Sequence, residues 1–332
     1  MYIRKRLNKY FVEIKRQGHK NIYKTFKQKS DAMKWGRSVE IQLDQSRYKD
    51  TSNASKTTLK SVMERHLKER LRLVREPKKE QSRYNVIIKN DIVKRYLTNL
   101  TPQIFARYRD ERLDEGLSPS TICRELSFMS IAIKKAIRFY NCWLPEHPIP
   151  NDIKPKESPP RNRRLEEGEF EKLMEHCKTK RNSYWCSMIE FSIQTAMRLN
   201  EQLTLKWEQV DLKNMMITIL AEHSKTGIER KIPLTPRAIE ILGSLPRHIK
   251  GRVFPVSLNN FQRAWRSITR NAEIDNLHWH DLRREACSRL MESGLSISEV
   301  QMFTGHKTLS LMLQTYSQHN PSVVAKKLNR VS

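Results

Sequence analysis

The sequence predicts a multidomain chain, mainly α-helical, with small β-sheets. Three observations predict it. The 332 residues are enough for two or three domains at ~100–200 residues each. Apolar residues recur at spacings of three and four over most of the chain, and alternate with polar ones only in a few short runs. Six prolines, Pro145, Pro148, Pro150, Pro155, Pro159 and Pro160, break the helical pattern at mid-chain.

The elements follow in order. In residues 1–50, Tyr10, Val12 and Ile14 alternate as one strand, Gln17-Gly18 turns, and Ile22 to Phe26 return as a second. Ser30 then caps a helix with Asp31 in its first turn, and Ala32, Trp35, Val39 and Leu43 form its apolar face. Asp50 to Ser55 is a polar linker. Residues 57–144 read as an all-helical domain, with helices near Leu59–Val74, Glu80–Tyr96, Pro102–Glu115 and Pro119–Tyr140. In the last of these Ser118 caps, Pro119 takes the first helical position, and Ile122, Leu126, Met129, Ile133, Ile137 and Tyr140 form the stripe. Residues 145–160 read as a semi-rigid proline-rich linker. Residues 161–332 mix helices with a short sheet. Helices are expected at Glu166–Lys178, Ser183–Met197, Pro236–Gly243, Ser257–Asn271, Leu282–Ser293, Ser296–Thr304 and Leu309–Ser317. Met215–Ala221 and Arg230–Pro233 are the expected strands, joined by a hairpin through Lys225-Thr226-Gly227.

Composition narrows the function. Lys plus Arg number 63 against 36 Asp plus Glu, a formal charge of +27. Such a chain attracts polyanions, and nucleic acid is the leading candidate because neutralised phosphates release counterions; a ribosome-associated or merely soluble basic protein is the plainer reading. The excess is already present in residues 1–50, with 14 Lys/Arg against 5 Asp/Glu. No apolar stretch approaches the ~18 residues that span a bilayer, so no membrane role is expected. The first residues lead straight into charge without an apolar h-region, so no secretion signal is expected. Five cysteines without a C-x-x-C pair argue against a disulfide framework or a structural zinc, and a reducing cytoplasm is the expected setting.

The groups able to do chemistry cluster late in the chain. They are Thr195-Ala-Met-Arg198-Leu-Asn-Glu201, Ser224-Lys225-Thr-Gly, His280-Asp-Leu-Arg283, Gly305-His306 and Tyr316. No G-x-x-x-x-G-K-[ST] accompanies them, and no acidic cluster has two-metal spacing. Taken singly, each has an ordinary reading. Arg198 reads as a helix-end cation, His306 as a helix cap, and Tyr316 as a core residue in register with Leu309, Met312 and Leu313. Arg284 rivals Arg283, and Lys225 is one of many lysines. His278, His280 and His306 raise a zinc site, but no acidic or cysteine ligand accompanies them, so no metal is expected.

Taken together and in order, the five motifs resemble the tyrosine recombinase, or phage integrase, family. The motif match covers roughly residues 165–318. Residues 1–50 resemble the arm-type DNA-binding module of the family's phage branch, residues 57–144 its helical core-binding domain, and residues 161–332 its α+β catalytic domain with a C-terminal tail. The resemblance implies a site-specific DNA recombinase that cleaves and rejoins strands through a 3′-phosphotyrosyl intermediate, integrating or excising a phage or mobile element without a cofactor. Tyr316 would be the nucleophile. Arg198 and Arg283 would present donor forks to the non-bridging oxygens. Lys225 would protonate the 5′-oxygen leaving group, His280 would act as general acid/base, and His306 would hydrogen-bond a phosphate oxygen. Glu201 would brace the helix that carries Arg198.

The resemblance also implies core-type and distal arm-type sites on double-stranded DNA, a homo-tetramer in synapsis, DNA-bending accessory proteins, and a tail that docks on a neighbouring protomer; in a free monomer the tail could instead fold back on its own domain. Two departures stand out. Ala196 occupies a position where many members have Gly, and the ten residues from His306 to Tyr316 are one more than the family spacing. Two other functions fit the same resemblance: a catalytically idle DNA-binding or architectural protein, and a type IB topoisomerase-like enzyme.

Overall fold

A computed structural model describes residues 1–45, 47–74, 76–159, 161–178, 184–224, 227–248 and 251–306. The chain divides into two compact units, Met1–Pro159 and Pro160–Ser332. Among the described residues, no helix is long and apolar enough to cross a membrane.

The first unit opens with an antiparallel sheet of three strands, β1 (Tyr2–Arg6), β2 (Lys9–Ile14) and β3 (Ile22–Phe26), in the order β1-β2-β3. Val12 and Ile14 point inward against α1 (Lys29–Asp44), whose Ala32, Val39 and Leu43 complete a small core. Strand β1 escapes the sequence pattern because only Ile3 faces this core among charged neighbours. The opposite sheet face carries Arg4, Phe11 and Tyr23. Phe11 pairs across the strands with Arg4 and Thr25, stacks on Tyr23 at 5.7 Å, and lies 4.8 Å beneath the Arg4 guanidinium.

The helical part comprises α2 (Leu59–Leu71), α3 (Pro77–Ile87), α4 (Pro102–Asp114) and α5 (Pro119–Phe139). As expected, Ser118 caps α5 by accepting from Thr121 N, and Pro119 sits in its first turn. Ile122, Leu126, Met129 and Ile133 are fully buried along its stripe. Each such side chain contributes about 1.5–3 kcal/mol relative to exposure. Helix α3 ends earlier than its pattern suggests. The Asn90 side chain accepts from Ile92 N at 2.9 Å and starts a separate 3₁₀ turn at Asp91–Lys94. The proline-rich segment 145–160, read from sequence as a linker, is partly core. Ile149 and Ile153 are 4% and 6% exposed and join the helical cluster. Proline removes helix here without removing apolar burial.

The second unit contains α6 (Glu169–Lys178), α7 (Tyr184–Thr195), α8 (Leu199–Thr204), α9 (Pro236–Ser244), α10 (Leu258–Asn271), α11 (Trp279–Glu292) and α12 (Ile297–Thr304). Its antiparallel sheet runs β4 (Val210–Asp211), β5 (Met216–Ile219), β6 (Arg230–Pro233). The register pairs Ile217 with Ile232, both fully buried. Helix α11 begins three residues before the Leu282 start expected from sequence. Trp279 anchors that extra turn, meeting Phe261 and Trp265 of α10 edge-on at 4.7 and 5.0 Å.

His66 on α2 is 2% exposed, lies 5.0 Å from the Phe128 ring, and forms no hydrogen bond through either ring nitrogen among the described residues. Burial, then the charges of Lys135 and Arg70, lower its pKa to about 4. Between its unperturbed ~6.5 and about 4, the unfolded chain takes up a proton that the folded chain refuses. The neutral imidazole's contribution is therefore complete above ~6.5 and is lost as pH falls, reaching about 3 kcal/mol at pH 4. Calorimetric unfolding of the full chain at pH 7 and pH 5 should show an acid-induced destabilisation that is smaller in His66→Leu. Equal acid sensitivity in the two proteins would contradict it.

Candidate active site

Two sharp turns and one helix create the site. Helix α7 ends at Thr195, and Ala196 takes a left-handed φ of +51°. Its N–H still reaches Ser192 O at 3.0 Å, so this is a helix terminus closed by a residue in a glycine-preferring conformation. Alanine tolerates it at a cost of about 1–2 kcal/mol. The turn stops α7 two residues short of the expected Met197. It also makes Arg198 the N-cap of the short helix α8, which the sequence pattern did not suggest.

Glu201, one turn into α8, is 2% exposed. Its Oε2 accepts from Arg198 N at 2.9 Å and its Oε1 from Arg198 Nη1 at 3.0 Å. Arg230 at the start of β6 donates to the same carboxylate, Nη1 to Oε1 at 3.0 Å and Nη2 to Oε2 at 2.7 Å. Burial would raise the carboxyl pKa, but the Arg230 and Arg198 contacts outweigh it and hold Glu201 ionised. Arg230 also donates from Nε to Phe303 O at 3.3 Å, reaching the end of α12. Sequence reading missed Arg230. Its available signal was a cation opening a strand whose Ile232 is core.

Gly305 closes α12 with φ +61° and its N–H on Gln301 O at 2.8 Å. A Cβ there would also come within 2.7 Å of Arg230 Cδ, so both backbone and space require glycine. His306 follows directly. Its Nδ1 lies 2.9 Å from Thr304 Oγ1, and its carbonyl accepts from Gln301 Nε2 at 2.6 Å.

Helix α11 supplies His280 and Arg283. Arg283 is 1% exposed. Its Nη1 donates to Ala196 O and its Nη2 to Thr304 O at 2.6 Å. It thus bolts together the turn before Arg198 and the turn before His306. The sequence reading gave this guanidinium only a phosphate to hold; two of its five donors go to main-chain carbonyls. His280 keeps much of its surface in solvent. Loss of water around its imidazole, then the charges of Arg283, Arg284 and Arg198, lower its pKa to about 4. For His306, burial and the charges of Arg283, Arg198, His280 and Arg230 likewise lower the pKa to about 4. The hydrogen bonds through Ala196 and Thr304 and the charges these groups exert on one another place four sequence-chosen residues, Arg198, His280, Arg283 and His306, in one electropositive neighbourhood, with Glu201 paired to Arg198. Arg284 adds its charge to the same neighbourhood. His278 is the N-cap of α11, where its N–H donates to Asp281 Oδ2 at 2.8 Å. Among the described residues, no group of three His, Cys, Asp or Glu side chains has metal-holding geometry. Lys225, Tyr316, the helix expected at Leu309–Ser317 and the tail beyond it lie outside the described residues.

Similarity to known proteins falls on the same region. Residues 163–322 match the model of the phage integrase family. The shufflon-specific DNA recombinase of Escherichia coli is 32% identical over 256 residues, covering 74% of this chain and 65% of the relative. A Haemophilus influenzae protein assigned as an integrase/recombinase is 30% identical over 306 residues, covering 88% of this chain and 80% of the relative. The chain thus spans just under two thirds of the shufflon recombinase and four fifths of the Haemophilus protein. Among solved structures, a lambda integrase dimer bound to a core site superposes with a TM-score of 0.65 at 19% identity, covering 95% of this chain and 94% of that one. Lambda integrase has also been solved as a tetramer bound to a Holliday junction, with a TM-score of 0.62 at 20% identity and 92% coverage of each chain. The fold is that of lambda integrase. The chain belongs to the phage integrase family of tyrosine recombinases.

Arg230→Met should destabilise the second unit by about 3 kcal/mol, because a buried carboxylate loses one of its two cations. Urea unfolding of the full chain, followed by Trp fluorescence, measures it. A change below about 1 kcal/mol would show that Arg198 alone satisfies Glu201.

Proposed function

We propose that the protein is a site-specific DNA recombinase that breaks and rejoins strands through a 3′-phosphotyrosyl intermediate, integrating or excising a mobile element. The observation that carries the reading is the clustering of Arg198, Arg283, His280 and His306, tied through the Arg283 bonds to Ala196 O and Thr304 O. Burial and then the arginine charges lower each imidazole to about 4. A pocket of fixed positive groups suits a phosphodiester, whose pentacoordinate transition state gains negative charge.

In the proposed reaction, the Tyr316 phenolate oxygen attacks the scissile phosphorus. The P–O5′ bond breaks, and the 5′-hydroxyl leaves with a proton from Lys225. Arg198 and Arg283 draw charge from the non-bridging oxygens. His280, neutral at pH 7 in the DNA-free protein, can take up the proton lost by the tyrosine, and His306 donates to a phosphate oxygen. The phosphotyrosyl bond keeps the energy of the broken ester, so a 5′-hydroxyl from another duplex can reverse the step without ATP. Exchange of four strands in this manner calls for four copies on two duplexes, hence a homo-tetramer in synapsis. The protein would work in the cytoplasm of a bacterial host, with DNA-bending proteins as accessories.

The N-terminal sheet would serve a second, arm-type DNA site. Its outer face combines Arg4, Phe11, Tyr23 and neighbouring cations, and a three-stranded sheet of this kind offers both phosphate contacts and base-edge readout.

A nicked suicide duplex carrying the core site should trap wild type as an SDS-resistant covalent adduct, whereas Tyr316→Phe should bind and form none. Arg198→Ala should slow adduct formation by about 10²–10³-fold with a smaller loss of binding. Adduct formation by Tyr316→Phe would move the nucleophile elsewhere.

Removal of residues 1–50 should abolish arm-site binding in a mobility-shift assay and leave core-site binding intact. Loss of core binding instead would contradict the division of labour.

A further inference from the structure

The second unit begins with a basic run, Arg161-Asn162-Arg163-Arg164, whose outer two arginines clasp α11. Arg161 donates from Nε and Nη2 to Asp281 Oδ1 and Oδ2 at 3.4 and 2.9 Å. It also holds Asn276, through Oδ1 at 2.9 Å and the main-chain oxygen at 2.7 Å. Arg164 reaches Glu285 Oε2 through Nε at 3.0 Å and Glu292 Oε1 through Nη1 at 2.7 Å. Leu165 N adds a bond to Glu285 Oε2 at 3.3 Å. The carboxylates of Asp281 and Glu285 are only 2% and 5% exposed.

These carboxylates lie on one side of the helix. At ~100° per residue, Asp281, Glu285 and Glu292 form a stripe roughly 150° around α11 from His280 and Arg283. The arginine run therefore grips the back of the helix whose front enters the pocket. It does so at both ends, Asp281 in the first turn and Glu292 in the last. Two separated grips fix the rotation and the axial position of a helix; one grip fixes neither. A buried ion pair adds little net stability over apolar packing, so several concentrated behind one helix point to geometry rather than to stability.

We propose that Arg161 and Arg164 are positioning residues for strand cleavage: by clasping Asp281, Glu285 and Glu292 they set where His280 and Arg283 meet the scissile phosphate. The assignment rests on the recombinase reading above. Arg161 stands two residues after Pro159, the last residue of the first unit, so the clasp on Asp281 sits where the chain enters the second unit. Cleavage would thereby be sensitive to how the chain enters the catalytic unit.

The test uses the full chain and a nicked core-site duplex at saturating DNA, with the single-turnover rate of adduct formation measured beside the Kd and the melting temperature. Arg161→Gln should cut the saturated rate by about tenfold or more, since misplacement of a reacting group by ~1 Å costs up to about 10²-fold, while Kd moves by less than about threefold. Arg161→Lys, which keeps the charge, should recover part of the rate. Asp281→Asn should slow the reaction similarly, and the double variant should be little slower than either single one. An unchanged saturated rate in Arg161→Gln overturns the proposal. So does a loss confined to Kd, which would make Arg161 a DNA contact, or a rate loss matched by the loss of folded protein. A wild type that forms no adduct overturns the recombinase reading and this role with it; an active wild type beside equally active variants overturns this role alone.

Discussion

Guanidiniums that the fold brings close together push one another apart. In this protein the buried carboxylate of Glu201 resolves that conflict. It accepts from Arg198 on one side and Arg230 on the other, so two cations share one anion in a site with little water. Ionisation of Glu201 is itself unfavourable at such burial and persists because both cations are present. The three groups depend on one another, and the turn before α8, the start of β6 and the end of α12 are tied together through them.

Arg283 meets the same problem differently. Its charge is spread over main-chain carbonyls, at Ala196 and Thr304, which hold it without neutralising it. Carbonyl dipoles leave the net charge in place for an anionic ligand, whereas a carboxylate partner would cancel it. The two carbonyls belong to the two left-handed turns, so one guanidinium fixes both arms that carry Arg198 and His306. Burial and then that retained charge lower the pKa values of His280 and His306. A bound phosphodiester would offset it and move their pKa values upward.

Placement of His280 and Arg283 then reduces to placement of α11. Trp279 sets its first turn against α10, and the paired carboxylates on its far side receive the arginines from the start of the unit. Apolar contact supplies the helix with burial, and the ion pairs supply a preferred rotation. Neither alone would do both, because apolar packing tolerates small slides that directional hydrogen bonds resist.

Elements whose pattern is local are legible in the amino-acid order alone. The stripe of α5 from Ile122 to Ile133, its Ser118 cap and Pro119 start, the alternation of β2, and the motifs naming Arg198, His280, Arg283 and His306 are all readable from residue type and spacing. Only the tertiary structure decided what depends on a distant partner. Strand β1 is a strand because β2 lies beside it, and α11 starts at Trp279 because α10 buries that ring. Ile149 and Ile153 belong to the helical core despite the prolines around them. Arg230 joins the site although 29 residues separate it from Glu201. Residue spacing encodes helices and strands through short-range geometry. Which charge neutralises which is settled by the folded surface, where partners far apart in the chain exchange water for each other.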